Sequence, residues 1–283
     1  MKKNSSGLFI VATPIGNLKD ISERAKEAIF EADLVVCENP KHSLKLLNNL
    51  GIKKKLLSLH DYNETLIINK ISKELSNKKI VLISDAGSPL ISDPGFKLVR
   101  YCIDNNIYIT SIPGSCSIIP ALQLSGIPIN EFSYLGFFPK SKNKIKFFIN
   151  EIKNSIRTSV FFVSSNKLID CLNFIKSEDL DRTISIAKEL TKINENVLRG
   201  SHEQIISQIT NQQILTKGEF VVVVEGKSIK KTENINLSIY NDTITMLLLK
   251  FSLTEVVEIV HKLIGINKNK IYKWVLKLKK YQN

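Results

Sequence analysis

The stretch SDAGSPLISDPG, Ser84 to Gly95, leaves the apolar run Ile80-Val81-Leu82-Ile83 and precedes Phe96-Lys97-Leu98-Val99-Arg100. A connection that only reverses direction needs about two to six residues. This one spends twelve, among them two Ser-Asp pairs, two prolines and two glycines. Such residues fix backbone shape and present acceptors and N–H groups just past a strand, where open α/β sheets bind ligands. The stretch therefore reads as a binding loop of an α/β fold. The plainer alternative is a structural turn in which Ser92 and Asp93, before Pro94, cap the next helix.

Working outward, short β-branched runs alternate with amphipathic stretches such as DISERAKEAIFEA, the pattern of α/β units with largely parallel strands. Leu8–Ala12, Leu34–Cys37, Ile80–Ile83 and Tyr108–Ile112 are expected strands of a first sheet. Phe132–Phe137, Ser159–Val163, Ile184–Ala187 and Phe220–Val224 are expected strands of a second. The division falls near Ala121 to Ile129, giving an N-terminal α/β domain over 1–120 and a second over 121–228. The polar stretch KSIKKTENINLSIYND reads as a linker. Helical periodicity returns over 241–283, where Ser252 and Glu255 form a capping box, Gly265 ends a helix and Asn267 caps the next. Two helices around a Gly-containing turn resemble a helix-turn-helix.

The charge is +13 with a pI near 9.4, and a positive surface attracts polyanions. Lysines solvated for no partner are the competing explanation, since the chain is rich in Lys, Asn and Ile throughout. The last helix carries Lys268, Lys270, Lys273, Lys277, Lys279 and Lys280 between Ile271, Tyr272, Trp274, Val275 and Leu278. It is either a solvated helix or one that contacts phosphates. No apolar run approaches the roughly 20 residues of a membrane span, and the opening apolar run is too short for a signal peptide. A soluble, cytoplasmic protein without membrane contact is expected. Cys37, Cys102, Cys116 and Cys171 are scattered, as are the four histidines, so no metal site is expected.

Two further loops follow strands in the same way: Thr13-Pro14-Ile15-Gly16-Asn17 and Pro113-Gly114-Ser115. Neither a dinucleotide G-x-G-x-x-G nor a P-loop occurs. Three such loops on one sheet edge imply a pocket.

SDAGSPLISDPG, with FIVATPIGNLKDISERA, the PGS of Pro113 to Ser115 and KGEFVVVVEG of Lys217 to Gly226, resembles the ribosomal RNA small subunit methyltransferase I family, of the tetrapyrrole-methylase class (class III methyltransferases). The likeness runs in order from about Gly7 to Gly226, and the helical tail is similar to that family's small terminal domain. It implies two α/β domains holding S-adenosylmethionine between them, 2′-O-methylation of a cytidine ribose at the decoding centre of the small-subunit rRNA, and a homodimer. On this chain it implies cofactor contacts from Pro14, Gly16, Asp85, Ala86, Gly87, Ser88, Pro89 and Ser115. Val163, Ser164, Ala187, Lys188 and Glu189 would add contacts from the second domain. His60-Asp61-Tyr62-Asn63-Glu64 and Glu189-Leu190-Thr191-Lys192 also resemble family segments. Two others depart: Glu38-Asn39-Pro40-Lys41 stands where the family usually has Glu-Asp-Thr-Arg, and Phe162-Val163-Ser164-Ser165-Asn166-Lys167 where it usually has Tyr-Glu-Ser-Pro-His-Arg. A lysine in place of arginine loses a bidentate phosphate grip.

The transfer needs a base within reach of the ribose hydroxyl, and Glu38, Glu189, or a lysine of lowered pKa such as Lys41 or Lys192 are the candidates. Against that role, Glu189 and Lys192 can also be read as a surface i,i+3 pair. Lys140, Lys142, Lys144 and Lys146, with the basic tail, would hold RNA. Three alternatives stand beside this reading: methylation of a small tetrapyrrole-type molecule, a non-catalytic RNA-binding relative, and metal-dependent hydrolysis through Glu38, Asp85 and Asp93.

Overall fold

A computed structural model describes residues 6–178, 181–211, 218–227 and 237–280. The chain forms two compact units, Met1–Lys227 and Ser228–Asn283.

In the larger unit, a first sheet comprises β1 (Gly7–Val11), β2 (Leu34–Cys37), β3 (Leu56–Ser58), β4 (Lys79–Ile83) and β5 (Ile109–Ile112) in the order β3-β2-β4-β1-β5. Every pairing is parallel. Because successive side chains leave a strand on opposite faces, Val81 and Ile83 of β4 join one core layer while Ile80 and Leu82 join another. Helices α1 (Glu23–Glu31) and α2 (Pro40–Asn49) cover the first face through Ala25, Ala28, Ile29 and Leu47. Helices α3 (Glu64–Leu75) and α4 (Phe96–Asp104) cover the second through Ile67, Ile71, Leu98 and Cys102. Burial on both faces explains why these strands are near-continuous apolar runs.

The second sheet comprises β6 (Phe132–Phe137), β7 (Thr158–Ser164), β8 (Ile184–Lys188), β9 (Asn196–Gly200) and β10 (Glu219–Val224), ordered β6-β7-β10-β8-β9. Only β6 and β7 run parallel; β10 is antiparallel to β7 and β8, and β8 to β9. The expectation of largely parallel strands thus holds for the first sheet and fails for the second, where a β-branched run looks alike in either direction. Helices α6 (Lys142–Asn154), α7 (Leu168–Ser177) and α8 (His202–Asn211) cover one face. The other receives α5 (Ile118–Ser125), whose Ile118, Ala121 and Leu122 sit against Val160, Ala187, Val221 and Val223. The division drawn from sequence after residue 120 therefore cuts a helix that belongs with the second sheet. Ile15 and Cys116 from the first sheet's loops pack on the same cluster, so the two halves share apolar surface at the site described below.

The smaller unit is built of α9 (Asn241–Leu248), α10 (Leu253–Ile264) and α11 (Lys268–Lys280) around Ile244, Val256, Val260, Ile271 and Val275. Ser252 and Glu255 form the reciprocal cap foreseen from the sequence, and Gly265 ends α10 in the left-handed region at φ 67°. Most of the expected linker, residues 228–236, lies outside the described residues, as does Lys217. No described helix is long and apolar enough to cross a membrane.

Candidate active site

The three loops singled out in the sequence meet at the carboxyl ends of β1, β4 and β5. Thr13 and Gly87 exchange both backbone hydrogen bonds, Thr13 N to Gly87 O at 2.8 Å and Gly87 N to Thr13 O at 2.9 Å. Ser84 Oγ donates to Gly87 O at 2.8 Å, and Thr13 Oγ1 to Ser84 O at 3.2 Å. Gly87 sits at φ 85°, a conformation that costs other L residues energy. The cradle half of the long loop is thus stitched to the first loop.

Beside it lies a cavity of about 430 Å³, within the range of small-molecule and cofactor sites, about 300–1,000 Å³. One wall is Asp85 to Ser88, continued by Ile91, Ser92 and Asp93. The opposite wall comes from strand ends of the second sheet, Val163 to Ser165, Ala187 and Gly218 to Val221. Ile15, Cys116 and Ser117 close a third side. Phe162 and Phe137 also line it, their rings 5.1 Å apart, with Tyr134 edge-on to Phe162 at 5.4 Å. A bulge between Tyr134 and Phe137, with Gly136 at φ 71°, shifts the register of β6 at this point.

Of the residues expected to meet a cofactor, Asp85, Ala86, Gly87, Ser88, Val163, Ser164 and Ala187 line this cavity. Pro14, Gly16, Pro89, Ser115, Lys188 and Glu189 are not among its lining residues. Pro89 is buried. Gly16 instead meets another segment: a Cβ there would fall 2.5 Å from Lys192 Cγ and 2.7 Å from Thr191 Oγ1. Thr191 Oγ1 accepts from Asn17 N at 3.0 Å, so the 189–195 segment clasps the first loop.

That clasp bears on two candidate bases. Lys192 Nζ lies 3.2 Å from Glu189 and 3.0 Å from Glu219, and Glu189 also accepts from Glu219 N at 2.9 Å. Burial opposes the charge on Lys192, yet pairing with Glu219 and Glu189 outweighs it and holds the ammonium above its ordinary pKa. For Glu189 burial is likewise outweighed, by the Glu219 N–H and by Lys192, so its carboxyl is held below the ordinary value. A lysine of lowered pKa is therefore not what stands at 192, and Glu189 is a weakened base committed to two donors, Lys192 Nζ and the Glu219 N–H.

Glu38 follows β2, exposed and outside the cavity lining. Partial burial first, then Asp85 and Asp61, raise its pKa. Lys41, also exposed, lies in the first turn of α2. The departure Asn39-Pro40 has a local explanation: Asn39 Oδ1 accepts from Lys41 N at 3.1 Å and Pro40 opens the helix. Asparagine caps as well as aspartate and proline suits the first helical position. Asn39 N also donates to Asp85 Oδ1 at 3.3 Å, linking this helix start to the long loop.

The sequence offers Asp93 as a binding-loop acceptor, a helix cap and a carboxylate of the hydrolytic alternative, but not as a candidate base for methyl transfer. α4 starts after Gly95 without a side-chain cap, and Asp93 faces the cavity instead. Burial first, then the charges of Glu38 and Asp85, push its carboxyl up to about 6, against a smaller opposing effect of a hydrogen bond with Ser84. A carboxylate so poised can take a proton near neutral pH. The Asp-Pro-Gly turn signals rigidity in the sequence, but not the convergence of residues 38, 85 and 93. The aromatic wall of Phe137 and Phe162 carried no periodic signal at all.

These features fit a cationic, purine-bearing cofactor. Asp85 and Asp93 place negative charge beside the cavity, the aromatic wall offers a stacking surface, and the stitched loop exposes backbone polar groups.

Comparison with known proteins agrees. The family model for Tetrapyrrole (Corrin/Porphyrin) Methylases matches residues 7–206. The "Ribosomal RNA small subunit methyltransferase I" of Haemophilus influenzae is 39% identical, covering 95% of this chain and 96% of its own. The protein of the same name from Buchnera aphidicola subsp. Acyrthosiphon pisum is 37% identical with the same coverage. Among solved structures, the methyltransferase CobJ matches with TM-score 0.58 at 13% identity over 79% of this chain and 95% of its own. A putative diphthine synthase from Entamoeba histolytica matches with TM-score 0.54 at 16% identity over 80% and 95%. The last two bear on fold alone.

Proposed function

We propose a function from one premise: the chain belongs to the tetrapyrrole (corrin/porphyrin) methylase family and, within it, to the ribosomal RNA small subunit methyltransferase I proteins. It is an S-adenosylmethionine-dependent methyltransferase whose substrate is small-subunit rRNA. The acceptor is the 2′-hydroxyl of a cytidine ribose at the decoding centre. The working form is a cytoplasmic homodimer, as the family resemblance implies.

When bound, S-adenosylmethionine supplies a methyl group on a cationic sulfur. The chain's residues then have two tasks. Asp85 to Ser88, with Val163, Ser164 and Ala187, hold the cofactor, and Phe162 and Phe137 offer it a flat apolar wall. Asp93 would accept the proton of the ribose hydroxyl as that oxygen takes up the methyl group. The observation that carries this reading is the Asp93 carboxyl in the cavity wall, held at about 6.

The rRNA reaches the site along basic surface. Lys142, Lys144 and Lys146 crowd the start of α6, all exposed, with Lys140 just before and no acidic residue in the first turn. Cations at a helix N-terminus oppose its dipole by about 0.3–1 kcal/mol each, an arrangement that a bound phosphate chain relieves. Replacing all four by alanine is expected to reduce the salt slope of rRNA binding by about 3; an unchanged slope places the RNA elsewhere. The small-molecule alternative gains nothing from these lysines.

The test is transfer of labelled methyl from S-adenosylmethionine to small subunits lacking the modification, with the product nucleotide mapped. A 2′-O-methylcytidine is expected; cofactor binding without transfer to RNA overturns the substrate assignment. Lys192→Ala is expected to lower kcat by no more than about tenfold, as for a partly exposed ion pair, and to leave the acid limb near pH 6 in place. A loss above about a hundredfold returns Lys192 to the chemistry.

A further inference from the structure

Glu64 is a carboxyl group with 5% of its surface exposed, at the first turn of α3. It does not line the cavity. Its Oε1 accepts a hydrogen bond from Gly95 N at 2.6 Å, across 31 residues of sequence. Gly95 is the residue preceding α4, and, having no side chain, it leaves that helix without a cap of its own; the first turn of α4 has no acidic residue either. Glu64 thus supplies from a neighbouring helix what α4 lacks locally: an acceptor for an orphan N–H at the positive end of the helix.

The bond also has a second effect, because Gly95 closes the strained half of the long loop. Leu90 and Ser92 both occupy the left-handed region, at φ 70° and 67°, and Gly95 is at φ 128°. Non-glycine residues persist in such conformations only where the surroundings over-determine them. Besides the contact of the Asp93 carboxyl with Ser84, three contacts fix this half of the loop. Ser92 Oγ is hydrogen-bonded to Tyr134 Oη, Gly95 is packed so closely that a Cβ would fall 2.9 Å from Leu82 Cδ2, and Glu64 holds the Gly95 N–H. Between these fixed points stands Asp93, two residues from the Glu64 contact. The other half of the loop, Asp85 to Ser88, is secured separately by Thr13.

We propose that Glu64 is a positioning residue for methyl transfer: by pinning the Asp93-Pro94-Gly95 turn it fixes where the Asp93 carboxyl stands in the cavity. The inference rests on the reading of Asp93 as proton acceptor. It assigns a task to the Glu64 of the His60-Asp61-Tyr62-Asn63-Glu64 segment, which neither faces the cavity nor contacts the 85–88 cradle in any hydrogen bond described above. The groups whose charges bear on Asp93 are Glu38 and Asp85, with Tyr134 also close.

The experiment compares Glu64→Ala, Glu64→Gln and Asp93→Asn in the full chain, measuring methyl transfer to unmodified small subunits from pH 4.5 to 9 and cofactor affinity by calorimetry. Glu64→Ala is expected to lower kcat by about 10- to 100-fold, the usual scale for a misplaced catalytic group. The cofactor dissociation constant should stay within about twofold, because the cradle is held by Thr13. As the turn relaxes and Asp93 gains water, the acid limb of kcat should fall from near 6 toward the ordinary 3.8. Glu64→Gln keeps an oxygen for the Gly95 N–H and should retain most of the rate. Should Glu64→Ala not fold, Glu64→Asp, shorter by one methylene, withdraws the acceptor and is read in the same way. A kcat for Glu64→Ala close to that of the parent overturns the proposal, and so does a loss of kcat and cofactor affinity together with the acid limb unmoved. Failure of the underlying reading is separate: it shows as an active Asp93→Asn, whatever the Glu64 variants do.

Discussion

Asp93→Asn is expected to reduce methyl transfer by about 10²–10⁴-fold, the usual contribution of a general base, and to raise the melting temperature at neutral pH. The second effect follows from the sign of the shift. The carboxyl titrates at about 6 in the folded chain against an ordinary 3.8. Between these values the folded state keeps a proton that the unfolded state has lost, so stability from this group is present below about pH 4 and is lost as pH rises through 6. Above that, the ionised carboxylate burdens the fold. A shift of this size corresponds to about 3 kcal/mol, which solvent screening at a partly exposed group reduces to about 1–2 kcal/mol. Asparagine carries no such burden and should melt higher by about 2–8 °C at pH 8. At pH 4 the difference should vanish. Calorimetry at the two pH values checks the sign, and an active variant removes Asp93 from the chemistry.

The other large effect is expected at Gly87. Gly87→Val should abolish detectable cofactor binding, and Gly87→Ala should weaken it by about tenfold or more. The residue cannot relax toward negative φ, since its N–H and carbonyl are both bonded to Thr13, so the substitution bears the left-handed strain of about 1–3 kcal/mol. A Cβ there would also stand 3.2 Å from Ile15 Cγ2, at the cavity wall. Valine adds two methyl groups to that intrusion. Titration calorimetry with S-adenosylmethionine measures the loss, and thermal melting separates it from unfolding. Binding by the valine variant at the parent's affinity excludes the cavity as the cofactor site.

Much of this arrangement was legible in the chain itself, for identifiable reasons. Strands buried on both faces announce themselves as runs such as Ile80–Ile83, and loops that need special dihedrals must use glycine and proline. What stayed hidden was of three kinds. The three-residue strand Leu56–Ser58 is too short for any period to register. The antiparallel direction of Glu219–Val224 leaves no mark on its composition, because burial and not polarity selects its valines. The role of Asp93 depends on the charges of residues 38 and 85, brought near it only by the fold. Lys192 misled for the converse reason: its partner Glu219 lies 27 residues onward, so the ion pair that keeps it protonated has no signature in local spacing.

The strand order β3-β2-β4-β1-β5 also sets a schedule for synthesis. β1 pairs only with β4 and β5, so a growing chain that has reached Leu75, the end of α3, has made β1 and β2 but not the strand that lies between them. Until Lys79–Ile83 emerges, Leu8, Phe9, Val11 and Val36 have no neighbour strand on that side. Non-local pairing of this kind folds slowly and leaves apolar edges open to other chains. A ribosome pausing within the stretch between residues 12 and 78 would therefore hold an aggregation-prone nascent chain, and protection of these early strands by a chaperone matters most just before β4 appears.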